Sequence, residues 1–232
     1  MGTVTCISGI DTDIGKTVAT GLLAKALGAQ KRTVVTQKIA QTGCAGIAED
    51  IVQHRQLMGI DLIPEDISGV TCSFVFEKAC SPHLAAELSG SHIDPAVITA
   101  ATRQLAAEYE HVLLEGAGGL MVPLNRRVTF LDYIEEQGYP LILVTSPRLG
   151  SINHTLSALE LAKERGIAVK GLVYNRYDVS DTIICEDSRQ LFIRQLQKYS
   201  FSDVLVDMED VSYYQKNEIE FDCLRLFDVK RS

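Results

Sequence analysis

The chain has 232 residues, 46% of them hydrophobic, and a formal net charge of −8. That length and apolar content suit one domain at the large end of the usual range with a full core, while the acidic balance argues against broad binding to nucleic acid or anionic membranes, which favours clustered Lys and Arg. No apolar run approaches the roughly 20 residues of a membrane span, the N-terminus enters a strand with no leader-like segment, and six cysteines without a C-x-x-C pair or Cys/His metal spacing read as reduced thiols of a cytoplasmic protein acting on small molecules.

The first element is the apolar run 4–8. It leads through Gly9-Ile10-Asp11-Thr12-Asp13-Ile14-Gly15-Lys16-Thr17 into a helical stretch. Glycine lets a backbone approach a polyphosphate closely, and the free N–H groups of the helix start are anion donors, so this junction predicts a phosphate-binding loop. Lys16 would neutralise β- and γ-phosphate oxygens and Thr17 would coordinate Mg²⁺. Gly9 lies one residue too far from Gly15 for the standard spacing.

The second β-branched run, 33–36, is followed by Lys38 and Thr42, and Glu49-Asp50 then opens a helix whose first turn favours acids in any case. Ser81-Pro82-His83 reads as another helix start rather than as a catalytic histidine. The buried-type strand 112–114 ends in Glu115 and a Gly116-Ala117-Gly118-Gly119 turn, with the carboxylate within reach of a metal held by Thr17. After strand 141–145, residues 151–165 have helical period, with Ile152, Leu156, Leu159 and Ala162 on one face and Gly166 as terminator. Strand 168–174 ends at Asn175.

This βαβ order predicts an α/β fold with a mostly parallel central sheet and helices on both faces. In such a sheet the ligand crevice lies beyond the carboxyl ends of the strands. Four of those ends carry chemistry, and their coincidence says more than any one of them. Lys38, taken alone, is most simply a solvated lysine, and Asp50 a solvated acid.

Together the loop with Thr12, Gly15, Lys16 and Thr17, the Lys38-x-x-x-Thr42-Gly43 segment, Ser81-Pro82-His83, Glu115-Gly116-Ala117-Gly118-Gly119 and Leu149-Gly150-Ser151-Ile152-Asn153-His154 resemble the dethiobiotin synthetases, from the N-terminus to about Asn175. The resemblance implies a single P-loop NTPase-like domain over 1–232 and ATP- and Mg²⁺-dependent closure of a cyclic urea from 7,8-diaminononanoate and CO₂. It implies that Lys16 and Lys38 stabilise the carbamate and the transferring phosphoryl group. Asp13, Ile14, Gly15, Lys16, Thr17 and Val18, with Glu115, Gly116, Ala117 and Gly118, would line the nucleotide, and Asn175 would contact the base beside Arg176. Thr12 and Thr42 would hold the substrate's reacting end, Thr17, Asp50 and Glu115 would surround Mg²⁺, and Gly150, Ser151 and Asn153 would receive the distal carboxylate from the neighbouring subunit of a homodimer.

Departures are Lys38-Ile39 where the family has Lys-Pro, and 201–206, which do not match the base-contacting segment. The tail from Met208 onward is expected to be a surface extension or partly disordered. Rival uses of the loop are a partitioning-type switch ATPase, which would ask for a second lysine at the loop's start, and a small-molecule kinase, which would ask for an Arg-rich lid. Between Asp50 and His111 the only arginines are Arg55 and Arg103.

Overall fold

A computed structural model describes residues 1–177, 181–217 and 221–227. In chain order the elements are β1 (Thr3–Gly9), α1 (Lys16–Ala29), β2 (Val34–Lys38), β3 (Gln41–Thr42), α2 (Glu49–Met58), α3 (Pro64–Ile67), β4 (Val75–Phe76), α4 (Pro82–Leu88) and α5 (Pro95–Glu108). There follow β5 (His111–Gly119), α6 (Phe130–Gln137), β6 (Leu141–Thr145), α7 (Ser151–Glu164), β7 (Val169–Asn175), α8 (Thr182–Lys198), β8 (Leu205–Met208), α9 (Val211–Asn217) and a 3₁₀ turn at Leu224–Phe227.

Six strands form one sheet in the order β2-β5-β1-β6-β7-β8, and every pairing in it is parallel. The strands alternate their buried side chains between two apolar layers, as a parallel sheet covered on both faces requires. On one face Ile7, Leu113, Ile142, Val144, Val173 and Val206 pack under Leu23 and Leu27 of α1. On the other Leu114, Leu141, Leu143, Leu172 and Tyr174 meet Phe130 and Ile134 of α6, Leu159 of α7 and Phe192 and Leu196 of α8. The expected α/β layering is therefore present.

Two local expectations are corrected. The glycine run after Glu115 is not a turn, since β5 continues to Gly119, and the irregular register that pairs Ile7 with Glu115 but Gly9 with Gly119 is what small residues permit. In α7 the buried face is Ser151, Thr155, Ala158, Leu159 and Ala162, while Ile152 is 41% exposed; two hydroxyl residues take the inward stripe because Thr145 Oγ1 and Ser146 Oγ bond Thr155 and Ser151 there. Residues 205–208 form the edge strand β8.

The tail packs onto the α1 face, where Phe221, Cys223, Leu224, Leu226 and Phe227 are buried in the same cluster as Val206 and Met208; residues 218–220 and 228–232 lie outside the described residues. The six cysteines are free thiols. Among the described residues no helix is long and apolar enough to cross a membrane.

Candidate active site

The loop between β1 and α1 ends at Gly15, whose φ of 95° is left-handed, and no side chain caps the helix. A Cβ at Gly15 would stand 2.5 Å from Asn175 Nδ2, so only glycine fits both the dihedral and the space. The uncapped amides of α1 are left to bind an anion. Lys16 folds back over the loop to donate to the Asp11 carbonyl at 2.9 Å, and it is 7% exposed. Burial and then the neighbouring Lys38 charge push its pKa down to about 8.

Parallel register sets the next pair. Glu115 on β5 stands opposite Ile7 on one side and Lys38 on the other. Lys38 Nζ donates to Glu115 Oε1 at 2.7 Å and to the Gly116 carbonyl at 3.1 Å, and it forms a second ion pair with Asp50. Burial works to lower the Lys38 pKa, but the carboxylates of Glu115 and Asp50 outweigh it and hold the ammonium well above its usual range. Burial works to raise Glu115, and there Lys38 and a hydrogen bond from His54 win, holding the carboxyl well below the usual range. Thr17 Oγ1 completes the group, 3.2 Å from Glu115 Oε1. Gly116 is tight for a different reason: a Cβ there would meet the Phe130 ring at 2.3 Å.

These groups border one cleft of about 440 Å³, which Thr12, Asp13, Gly15, Lys16, Thr17, Val18, Lys38, Thr42, Asp50, Glu115, Ala117 and Gly118 line together. Ile14 is buried beneath the loop, and its carbonyl accepts from Asn175 Nδ2 at 2.9 Å. Asn175 Oδ1 accepts from the Tyr177 amide, which leaves one amide hydrogen and one lone pair for a ligand. Arg176 does not join the cleft. It pairs with Glu209 at 3.0 Å and borders a separate cavity of about 750 Å³ beside α8, whose other arginine, Arg189, is already paired with Asp207.

Gly150, Ser151 and Asn153 also lie outside the cleft, at the start of α7. Gly150 caps that helix with no side-chain bond, and Ser151 Oγ is held by Ser146 Oγ at 3.0 Å. Neither Ser151 nor Asn153 therefore satisfies the helix's own amides. Arg148 of the same turn reaches the phosphate loop, donating to Asp11 at 2.9 Å. His83 borders a different hollow with Glu87, His92 and Arg126, and Pro82 opens α4 as expected of a helix start.

A family model described as an AAA domain matches residues 4–212. An ATP-dependent dethiobiotin synthetase of Haemophilus ducreyi is 52% identical over 201 residues, covering 87% of this chain and 95% of that one. One from Chlorobaculum tepidum is 50% identical over 205 residues, covering 88% and 86%. The chain belongs to the dethiobiotin synthetase family. Among solved structures, the septum site-determining protein MinD of Pyrococcus horikoshii in complex with Mg-ADP aligns with a TM-score of 0.56 at 18% identity, covering 93% of this chain and 84% of that one. A ParA family ATPase of Chlorobium tepidum aligns at 0.54 and 15%, covering 93% and 86%. These likenesses show a shared fold alone.

In this dethiobiotin synthetase family member, α2 carries, beside the expected Asp50, two residues that sequence reasoning passed over, His54 and Arg55. Asp50 and His54 are four apart and so share one helix face, and both reach the Lys38–Glu115 pair. Arg55 beside them is 2% exposed and joins Asp66 through two bonds of 2.8 Å. The signal available was the polar spacing D-x-x-x-H-R on a helix just after Lys38.

Proposed function

We propose that the protein is an ATP- and Mg²⁺-dependent dethiobiotin synthetase that makes a cyclic urea from 7,8-diaminononanoate and CO₂. The observation that carries this reading is the junction of an uncapped phosphate loop with two lysines, 7% and 5% exposed, and two carboxylates in a single cleft. The donor set fits Mg²⁺: Thr17, Asp50 and Glu115 offer only oxygen, the two carboxylates both pairing with Lys38 and Thr17 bonding Glu115. Among the described residues no grouping of three or more His, Cys, Asp or Glu suits a metal, so this set would be completed by phosphate oxygens. Bound there, Mg²⁺ would supply positive charge against the polyphosphate.

One amine of the substrate attacks CO₂, forming a carbamate and losing a proton. A carbamate oxygen attacks the γ-phosphorus as the bond to ADP breaks. The second amine then closes on the carbonyl carbon and phosphate departs with the C–O electrons, again with loss of a proton. Carbamate and γ-phosphoryl group repel each other, so the chain's task is positioning and charge neutralisation. Lys16, over the loop, would hold the transferring group, and Lys38, at the end of β2, would stabilise the carbamate. Thr12 and Thr42 on the cleft wall would hold the substrate's reacting end. Asp13, Gly15, Val18, Ala117 and Gly118 shape the nucleotide's surroundings, and Asn175, with its free hydrogen and lone pair, is placed to meet the base.

The site is completed across a homodimer in this reading. Leu149 is fully exposed and Ile152 is 41% exposed, two apolar side chains at the uncapped N-terminus of α7, whose amides would receive the distal carboxylate. Free thiols fit the reducing cytoplasm as the place of work.

The test is incubation with diamine, bicarbonate, Mg²⁺ and ATP, following phosphate and dethiobiotin by mass spectrometry. Dethiobiotin with diamine-dependent phosphate release is expected. ATP hydrolysis indifferent to the diamine would move the assignment to a switch ATPase.

A further inference from the structure

Behind Glu115 runs a chain of buried polar groups that the reaction above does not use. His54 Nε2 lies 2.8 Å from Glu115 Oε2 and His54 Nδ1 lies 3.0 Å from Thr36 Oγ1. Arg55 Nη1 donates to the same Thr36 oxygen at 2.9 Å, and its Nε and Nη2 hold both oxygens of Asp66. Thr71 Oγ1 donates to Asp66 Oδ1 at 2.8 Å. None of His54, Thr36, Arg55, Asp66 and Thr71 lines the cleft, and His54, Thr36 and Glu115 are completely buried.

The charged end fixes the direction of the chain. An ionised carboxylate only accepts, so the ring nitrogen facing Glu115 Oε2 is the donor, while the Thr36 hydroxyl accepts from Arg55 and bonds His54 Nδ1 on the other side. The ring hydrogen of His54 then sits on Nε2 and points at Glu115 Oε2. The terminal torsion of a glutamate is broad and two-fold, so without this donor the carboxylate would be free to turn. With it, Oε2 is pinned toward the interior and Oε1 faces Thr17 and Lys38.

We propose that His54 is a positioning residue, fixing the Glu115 carboxylate through Nε2–H so that Oε1 alone is presented to Mg²⁺. Thr36, bonded to both His54 Nδ1 and Arg55, holds the ring in that orientation. This rests on Glu115 being a metal ligand, and the experiment separates the two ideas. Outer hydrogen bonds to a ligating group commonly change metal affinity or activity by about 10- to 100-fold.

Mn²⁺ binding to the full-length protein is measured by electron paramagnetic resonance with ADP present, ADP affinity is measured in EDTA, and folding is followed by circular dichroism. His54→Gln, whose side-chain amide reaches the place of Nε2, should bind Mn²⁺ within about three-fold of the parent protein. His54→Asn, whose amide reaches only the Nδ1 side, and His54→Ala should lose at least about ten-fold. All should keep ADP affinity in EDTA. Equal Mn²⁺ affinity in the Gln and Asn variants overturns the proposal, and that comparison stands even if the Ala variant fails to fold. Glu115→Gln is the control for the underlying reading: unchanged Mn²⁺ affinity there removes the metal assignment itself, whereas its loss beside an unaffected His54→Asn removes only the role of His54. Nitrogen-15 spectra of the imidazoles give a second readout, and a His54 hydrogen found on Nδ1 would also overturn it.

Discussion

Lys38 and Lys16 border the same cleft, yet their surroundings assign them different costs of removal. Lys38 lies between two carboxylates, one of them completely buried, so taking it away leaves Glu115 and Asp50 facing each other without a cation. Losing one partner of a buried ion pair costs about 3–5 kcal/mol. Lys16 bonds only a loop carbonyl, and its lowered pKa of about 8 shows that the fold holds its charge at a disadvantage. Both substitutions to alanine should abolish detectable product formation, a loss of at least about 10²- to 10³-fold. They should differ in melting temperature: Lys38→Ala is expected to melt well below the parent protein in EDTA and to recover in Mg²⁺, while Lys16→Ala melts close to the parent in either buffer. Differential scanning calorimetry with and without Mg²⁺ checks this, and a Lys38→Ala protein indifferent to Mg²⁺ would remove the carboxylate pair as its binding place.

At the scale of elements, α2 is held to α3 and β2 by a cation in the interior. Arg55 binds Asp66 on α3 and Thr36 on β2, so the helix that supplies Asp50 and His54 cannot shift without breaking that fork. Burial works to raise the Asp66 pKa, but the hydrogen bonds and charge of Arg55 with the Ile63 amide and Thr71 hold it below the ordinary value. A depressed folded value means the stabilisation is present above the unfolded carboxyl's pKa of about 4 and is lost as pH falls through the folded value. Asp66→Asn should therefore cost about 3–5 kcal/mol at pH 7 and much less at pH 3, flattening the acid limb of the stability curve. Urea titrations at the two pH values decide it, and an equal loss at both would show that the carboxylate's charge is not what matters. Little of this was legible in the sequence. The stretch from Asp50 to Arg55 has ordinary helical polarity, and an arginine's burial is decided by partners 11 and 19 residues away. The phosphate loop and Glu115 were legible because local chemistry defines them: glycines at a strand-to-helix junction, and an acid ending an apolar run.

Over the whole molecule, the order β2-β5-β1-β6-β7-β8 brings the four chemistry-bearing strand ends to one edge, which is why separate motifs meet in one cleft. The strands at 112–114 and 141–145 were readable because both faces are buried and their apolar runs are nearly unbroken, and those at 4–8 and 168–174 because β-branched and apolar residues cluster there. Edge strand β8 was not, since its inward partners Leu224, Leu226 and Phe227 come from a tail whose sequence gives no regular period. Among the apolar side chains that the single chain leaves exposed are those at the start of α7. Leu149 is completely exposed, directly before a helix whose first amides have no side-chain cap, and further along the same helix His154, Ser157 and Leu161 border a groove of about 420 Å³ with Ile10, Met121 and Val122. An isolated apolar side chain would need no explanation, but exposed apolar residues and a groove on one uncapped helix mark a surface to be covered. If two copies close there, Leu149→Asp places a charge on each side of the contact and should convert a dimer to a monomer in sedimentation velocity. The phosphate loop lies in the same chain as its lysines, so ATP binding should survive within about three-fold, whereas the KM for the diamine should rise by at least about ten-fold, because a charge left unpaired in an interface is costly. A Leu149→Asp protein that sediments as the parent does and keeps its KM would show that the distal end of the substrate is held within one subunit.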